Sequence, residues 1–168
     1  MLLYNKAYDP CHTLLRMCAI LLQGELHEIE EERLRILDFL IAFPGHIADM
    51  SLPAIDRSKK SGFREFKSVY SSFEPASLFQ AMKPIQEAVI GTLCSLGVFE
   101  RGAATQGRFT VNPQMIPAVV MDVIARPECS LSKDALNFVS EYLKDFSLTG
   151  VNGLKARTKL LGYRYDAL

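Results

Sequence analysis

The chain has 168 residues, no net formal charge, 49% hydrophobic and 23% charged residues, and a sequence pI near 6.8. These values suit one globular domain with a real core. They exclude a disordered chain, or one pulled bodily onto DNA or acidic lipid by its net charge.

The opening "MLLYNKAYDP" lacks a signal-peptide pattern, and the longest apolar run, residues 14–22, contains Arg16 and is too short to span a bilayer. A cytoplasmic protein with no membrane contact is expected. Asp9-Pro10 marks a helix start, with Asp as the cap and Pro at the first helical position. Leu14, Leu15, Met17, Cys18, Leu21 and Leu22 then form a broad apolar face that Gly24 closes. "HEIEEERLRILDFLIAFP" predicts a second helix, with Glu28 and Glu30 to Glu32 at its dipole-favoured start. Its buried face is Leu34, Leu37, Phe39, Leu40 and Ile41, and it must stop before Pro44.

Residues 44–62 are connecting segment. "FREFKSVYSSF" predicts a shorter helix with Phe63, Phe66, Val69, Tyr70 and Phe73 at helical spacing, and "SLFQAM" a single turn. Pro84 is expected to open the next helix, whose core stripe is Ile85, Ala88, Val89, Leu93 and Leu96. "LGVFERGAATQGRFTVNP" then reads as a hairpin, with Val98 and Phe99 on one arm, Phe109 and Val111 on the other, and Gly102 and Gly107 about the turn. A helix feeding such a hairpin is the outline of a winged helix.

Beyond Pro113, Pro117 and Pro127 preclude a long helix, whereas "SKDALNFVSEYLKDF" predicts one over 132–146, with Leu136, Val139, Leu143 and Phe146 along one edge. Gly150, Asn152 and Gly153 break the chain before a basic tail, in which Tyr163 and Tyr165 alternate as in an edge strand. The expected class is therefore α+β and mainly α-helical, a single domain over 1–168. It has an N-terminal helix at about 9–23, a winged-helix core with a β-hairpin wing at about 28–112, and a C-terminal helical extension with a basic tail over 113–168.

Catalytic signatures are lacking. There is no Gly-rich phosphate loop, and His12, His27 and His46 are dispersed. Cys11 and His12 are sequence neighbours and point apart on a helix, and Glu30, Glu31 and Glu32 fan out around one. The four cysteines form no CxxC pair and read as free, small hydrophobes. We expect no enzyme, no metal and no cofactor.

A helix that precedes a wing commonly enters the DNA major groove. Here it is "PIQEAVIGTLCSL", which carries no Lys or Arg and one acid, Glu87. Its expected outer face is Gln86, Glu87, Ile90, Gly91, Cys94 and Ser95, which neutralises almost no phosphate. The tip "GAATQG" is uncharged, with Arg101 and Arg108 at its base. Gln86, Glu87, Ile90, Cys94, Arg101 and Arg108 are therefore candidate protein-interface residues. Positive charge gathers instead at Arg57, Lys59, Lys60, Arg64 and Lys67, and in the tail at Lys155, Arg157, Lys159 and Arg164. Of these, all but Lys67 are taken as candidate DNA-backbone contacts.

The phrases "RILDFLIAFPGHIADMSLP", "PIQEAVIGTLCSLGVF" with its hairpin, and "NGLKARTKLLGYRYD" together resemble the middle component of ABC-three-component systems, the group that includes Lamassu antiphage defence. The resemblance spans about Asp9 to Asp166. It implies a non-enzymatic winged-helix subunit that partners an SMC-like ABC ATPase and an effector, often a nuclease, and it supplies no catalytic residues to transfer. A winged-helix transcription regulator that binds DNA itself is the alternative reading.

Overall fold

The computed structural model describes residues 5–102 and 107–161. The chain is mainly helical with one small antiparallel sheet, an α+β arrangement. Helix α1, Pro10–Gln23, starts as its sequence requires: Asp9 Oδ1 accepts from the His12 N–H at 2.9 Å. Strand β1, Glu28–Glu30, follows and leads directly into α2, Glu31–Ala42. The sequence pattern places this strand within the second helix, because three residues with only Ile29 buried leave almost no period-2 signal.

Helix α2 is central. Every residue from Leu34 to Ile41 is buried, including Arg35 and Asp38. Such all-round burial marks a helix enclosed by others rather than one lying on a surface. Residues 54–73 are not the short α-helix expected at "FREFKSVYSSF" but two 3-10 stretches, Ala54–Phe66 and Val69–Ser72. Phe63 alone of the first stretch is buried, while Val69 and Phe73 are exposed.

Helix α3, Pro75–Ser95, also departs from expectation. It absorbs the "SLFQAM" turn and runs through Pro84. The proline lies on the exposed side, where the lost backbone donor faces water, and Phe79 and Met82 anchor the preceding turns in the core. The buried face also differs from the expected one: its stripe is Met82, Gln86, Val89, Ile90 and Leu93, and Ala88 and Leu96 are exposed.

Strands β2, Phe99–Arg101, and β3, Arg108–Val111, form the hairpin expected after α3. Strand β3 lies between its two neighbours, pairing Ile29 with Phe109 on one side and Phe99 with Val111 on the other. The Phe99 and Phe109 rings stack at 4.7 Å on the core face. The uncharged tip residues 103–106 lie outside the described residues.

The C-terminal part wraps back. Helix α4, Ala118–Ala125, is a short helix between Pro117 and Pro127. The helix predicted over 132–146 is shorter: α5, Lys133–Asn137, passes into a π-helical turn, Phe138–Tyr142, closed by the Leu143 N–H donating to the Phe138 carbonyl at 3.2 Å. Leu136, Val139 and Leu143 are buried as the sequence predicts. Helix α6, Leu154–Thr158, docks on residue 51: the Ser51 N–H donates to the Arg157 carbonyl, and Arg157 Nη1 donates to the Ser51 carbonyl. The four cysteines are free thiols.

Candidate functional site

The wing begins with its arginines. Arg108 places Nη1 3.4 Å from Glu28 and Nη2 3.0 Å from Glu30, across the β1–β3 ladder. Arg101 stands 3.8 Å from Glu31 and 5.1 Å over the Phe109 ring. Burial pushes the Glu30 carboxyl upward. The Arg33 hydrogen bond, its own backbone N–H and the Arg33 and Arg108 charges outweigh that effect and hold it below the ordinary glutamate value. Both cations of the wing base are thus spent on the acids of β1 and the start of α2.

The preceding helix presents a different face from the expected one. Gln86 and Ile90, expected as outer residues, are buried at 0% and 1% exposure. Gln86 Nε2 donates to Asp38 Oδ2 at 2.8 Å and to the Arg35 carbonyl at 3.1 Å, while its oxygen accepts from Arg35 Nε at 3.0 Å. Asp38 in turn accepts from Arg16 Nε at 2.6 Å, so this network ties α1, α2 and α3 together. Glu87 is exposed and pairs with Lys83 at 3.6 Å, and Cys94 is half-buried. The true outer face holds Ala88, Gly91, Thr92 and Ser95. The Thr92 and Ser95 hydroxyls fold back onto the carbonyls of Ala88 and Gly91, leaving low relief and little charge.

Helix α4, after the hairpin, carries an apolar surface that sequence reasoning misses. Helix α4 is almost wholly apolar, yet none of its residues is buried. Val119 is 65% exposed and Met121 37%, with Met115 at 50% and Leu96 at 37% next in line. A Cβ placed on Gly97, which has φ 77°, would stand 3.4 Å from Met115 Cε, so the end of α3 and the approach to α4 are in contact. The Asn112 amide holds them there by donating to the Gly97 carbonyl at 3.2 Å. The available signal is "QMIPAVVMDVIA", whose apolar density exceeds what an eight-residue helix can bury.

The two basic runs are less available to DNA than their composition implies. Lys59 pairs with Asp56 and lies over the Tyr142 ring, and Lys60 donates to the Met50 carbonyl. Lys155 is buried against Glu32 at 2.7 Å, and Arg157 binds the carbonyls of Ser51 and Asn152. Among the described residues of these runs, Arg57, Arg64 and Lys159 make neither an ion pair nor a side-chain hydrogen bond. Arg164 and the Tyr163/Tyr165 strand expected from the sequence lie outside the described residues. No described group of three or more His, Cys, Asp or Glu side chains is arranged to hold a metal. No described helix is long and apolar enough to cross a membrane.

The profile of one family, the ABC-three component (ABC-3C) system Middle Component 5, matches residues 2–166. The chain belongs to this family. No curated protein and no solved structure matches it. As a middle component of a three-component system, the protein has its partners within that system.

Proposed function

We propose that this Middle Component 5 protein is a non-enzymatic, winged-helix accessory subunit of an SMC-like ABC ATPase complex in Lamassu-type antiphage defence. It docks on the ATPase and helps to restrain or position a nuclease-type effector. The winged-helix reading is supported by the order α1, β1, α2, α3, β2, β3 and by a sheet ordered β1-β3-β2. The docking reading is carried by one observation: the α3 face is neutral and the wing-base arginines are already paired, whereas Leu96, Met115, Val119 and Met121 are exposed. Large apolar side chains left exposed on an almost wholly apolar helix mark a surface for protein contact.

Co-expression with the ATPase of the same system tests this. The native chain is expected to co-purify with it, and a Met115→Glu/Val119→Glu variant to lose the ATPase while unfolding at the native temperature. An ATPase retained by that variant would sink the docking surface.

A transcription regulator is the second reading, favoured by Arg57, Arg64 and Lys159, which are exposed and make no ion pair among the described residues. Steeply salt-dependent, sequence-selective DNA capture by the isolated chain would establish that reading instead.

A further inference from the structure

A cavity of about 250 Å³ opens where the end of α1, strand β1, the first turn of α2 and the π-helical turn meet. Its polar lining is Glu28, Glu30, Arg33, Arg108, Ser140 and Lys144, on walls that include Ile29 and Val139. Arg108 is cancelled by Glu28 and Glu30. Arg33 spends Nε on Glu30 and Nη2 on the Phe146 carbonyl, each at 2.7 Å, and its buried Nη1 has no partner. The Ser140 hydroxyl is likewise buried and unpartnered, in a residue 4% exposed. Lys144 makes no ion pair among the described residues.

The two buried, unpartnered groups, Arg33 Nη1 and the Ser140 hydroxyl, can both donate, and Lys144 is exposed at the rim. A guanidinium N–H and an ammonium only donate, and a serine hydroxyl donates readily. Buried donors left without an acceptor cost their full desolvation, so native structures supply one. The lining holds three cations and two carboxylates, an excess of one positive charge. Ser140 also sits on a π-helical turn, an irregularity that recurs at functional sites. The volume falls below the roughly 300–1,000 Å³ of pockets for drug-sized ligands and suits a small acid or ester.

We propose that this cavity binds a small anion, a carboxylate or phosphate monoester on a compact apolar body, held by Arg33, Ser140 and Lys144. The site is separate from the docking surface and stands without it. Inorganic phosphate and butyrate, titrated into the full chain at constant ionic strength and followed by amide NMR, test it.

Saturable shifts at residues lining the cavity are expected with at least one probe. Saturation by phosphate alone assigns a phosphate ester, and saturation by butyrate alone assigns a carboxylate. A Ser140→Ala/Lys144→Met variant is expected to bind about tenfold or more weakly, while Arg57→Ala/Arg64→Ala, which removes no lining residue, binds as the native chain does. Neither probe saturating, affinity unchanged in the cavity variant, or equal loss in the remote variant would each overturn the site.

Discussion

Asp38 shows how much a single side chain carries here. It is fully buried, it accepts from Arg16 and Gln86, and through Gln86 it reaches Arg35. Asp38→Ala would leave the buried Arg16 charge without its counter-ion, and a loss of about 3–5 kcal/mol is expected in urea unfolding. A loss below about 1 kcal/mol would show that water or the Lys6 and Ala7 carbonyls suffice for Arg16. Gln86 looks like a surface residue in the sequence because only its polarity is visible there. What buries it are partners 48 and 51 positions away, which no local pattern records.

His46 makes a prediction of opposite character. It is 6% exposed, lies 5.4 Å from the Phe39 ring, and has no partner at either nitrogen. Burial lowers its pKa, the Asp49 charge opposes that and Lys67 assists it. With the folded-state value depressed, the unfolded chain binds the proton first, so stability is full above about pH 6.5 and falls as pH drops further. His12 is shifted the same way by burial and adds to the slope. Urea unfolding of His46→Leu is expected to show a flatter decline between about pH 7 and pH 5; an unchanged slope would exonerate His46.

At the level of elements, α1 and the hairpin are legible in the sequence because a cap and glycines punctuate them. Helix α3 is legible as a helix but not in phase. The sequence places Ala88 and Leu96 inward and Gln86 and Ile90 outward, because the α2 partners that bury Gln86 leave no local signal. Strand β1 is hidden by its three-residue length. Residues 54–73 keep their aromatic spacing without forming an α-helix, since only Phe63 and, in part, Tyr70 find the core.

The turn before α6 offers a sharp test. A Cβ on Gly153 would lie 2.3 Å from the Thr149 carbonyl oxygen, a contact that backbone atoms cannot relieve cheaply. Gly153→Ala is expected to cost about 1–3 kcal/mol in thermal or urea unfolding. Gly91→Ala is the matched control: its Cβ would meet nothing, and a helix-interior alanine is stabilising by about 0.5–1 kcal/mol. Equal effects at the two positions would contradict the packing.

Taken as a whole, the molecule divides its charge between structure and surface in a way composition conceals. Lys155→Glu would set a carboxylate against Glu32 beside a nearly closed interface, and we expect a drop of several degrees in Tm. Arg57→Glu/Arg64→Glu alters exposed side chains without ion pairs and is expected to leave Tm within about a degree. Only the second variant is therefore a fair probe of DNA contact, and a matching loss of Tm in both would show that the two runs do not differ.

The family and the helical, small-sheet class are visible in phrases of sequence. The way the C-terminal part closes over the rest is not. Its return onto α2 and onto residue 51 closes long loops, through Arg33 on the Phe146 carbonyl, Lys155 on Glu32 and Arg157 on the Ser51 carbonyl. Trimming the chain back to about residue 112 would strip away these braces together with the walls supplied by Val139, Leu143 and Leu154. Such a fragment would expose greasy flanks and tend to precipitate, so binding partners should be sought with the whole polypeptide.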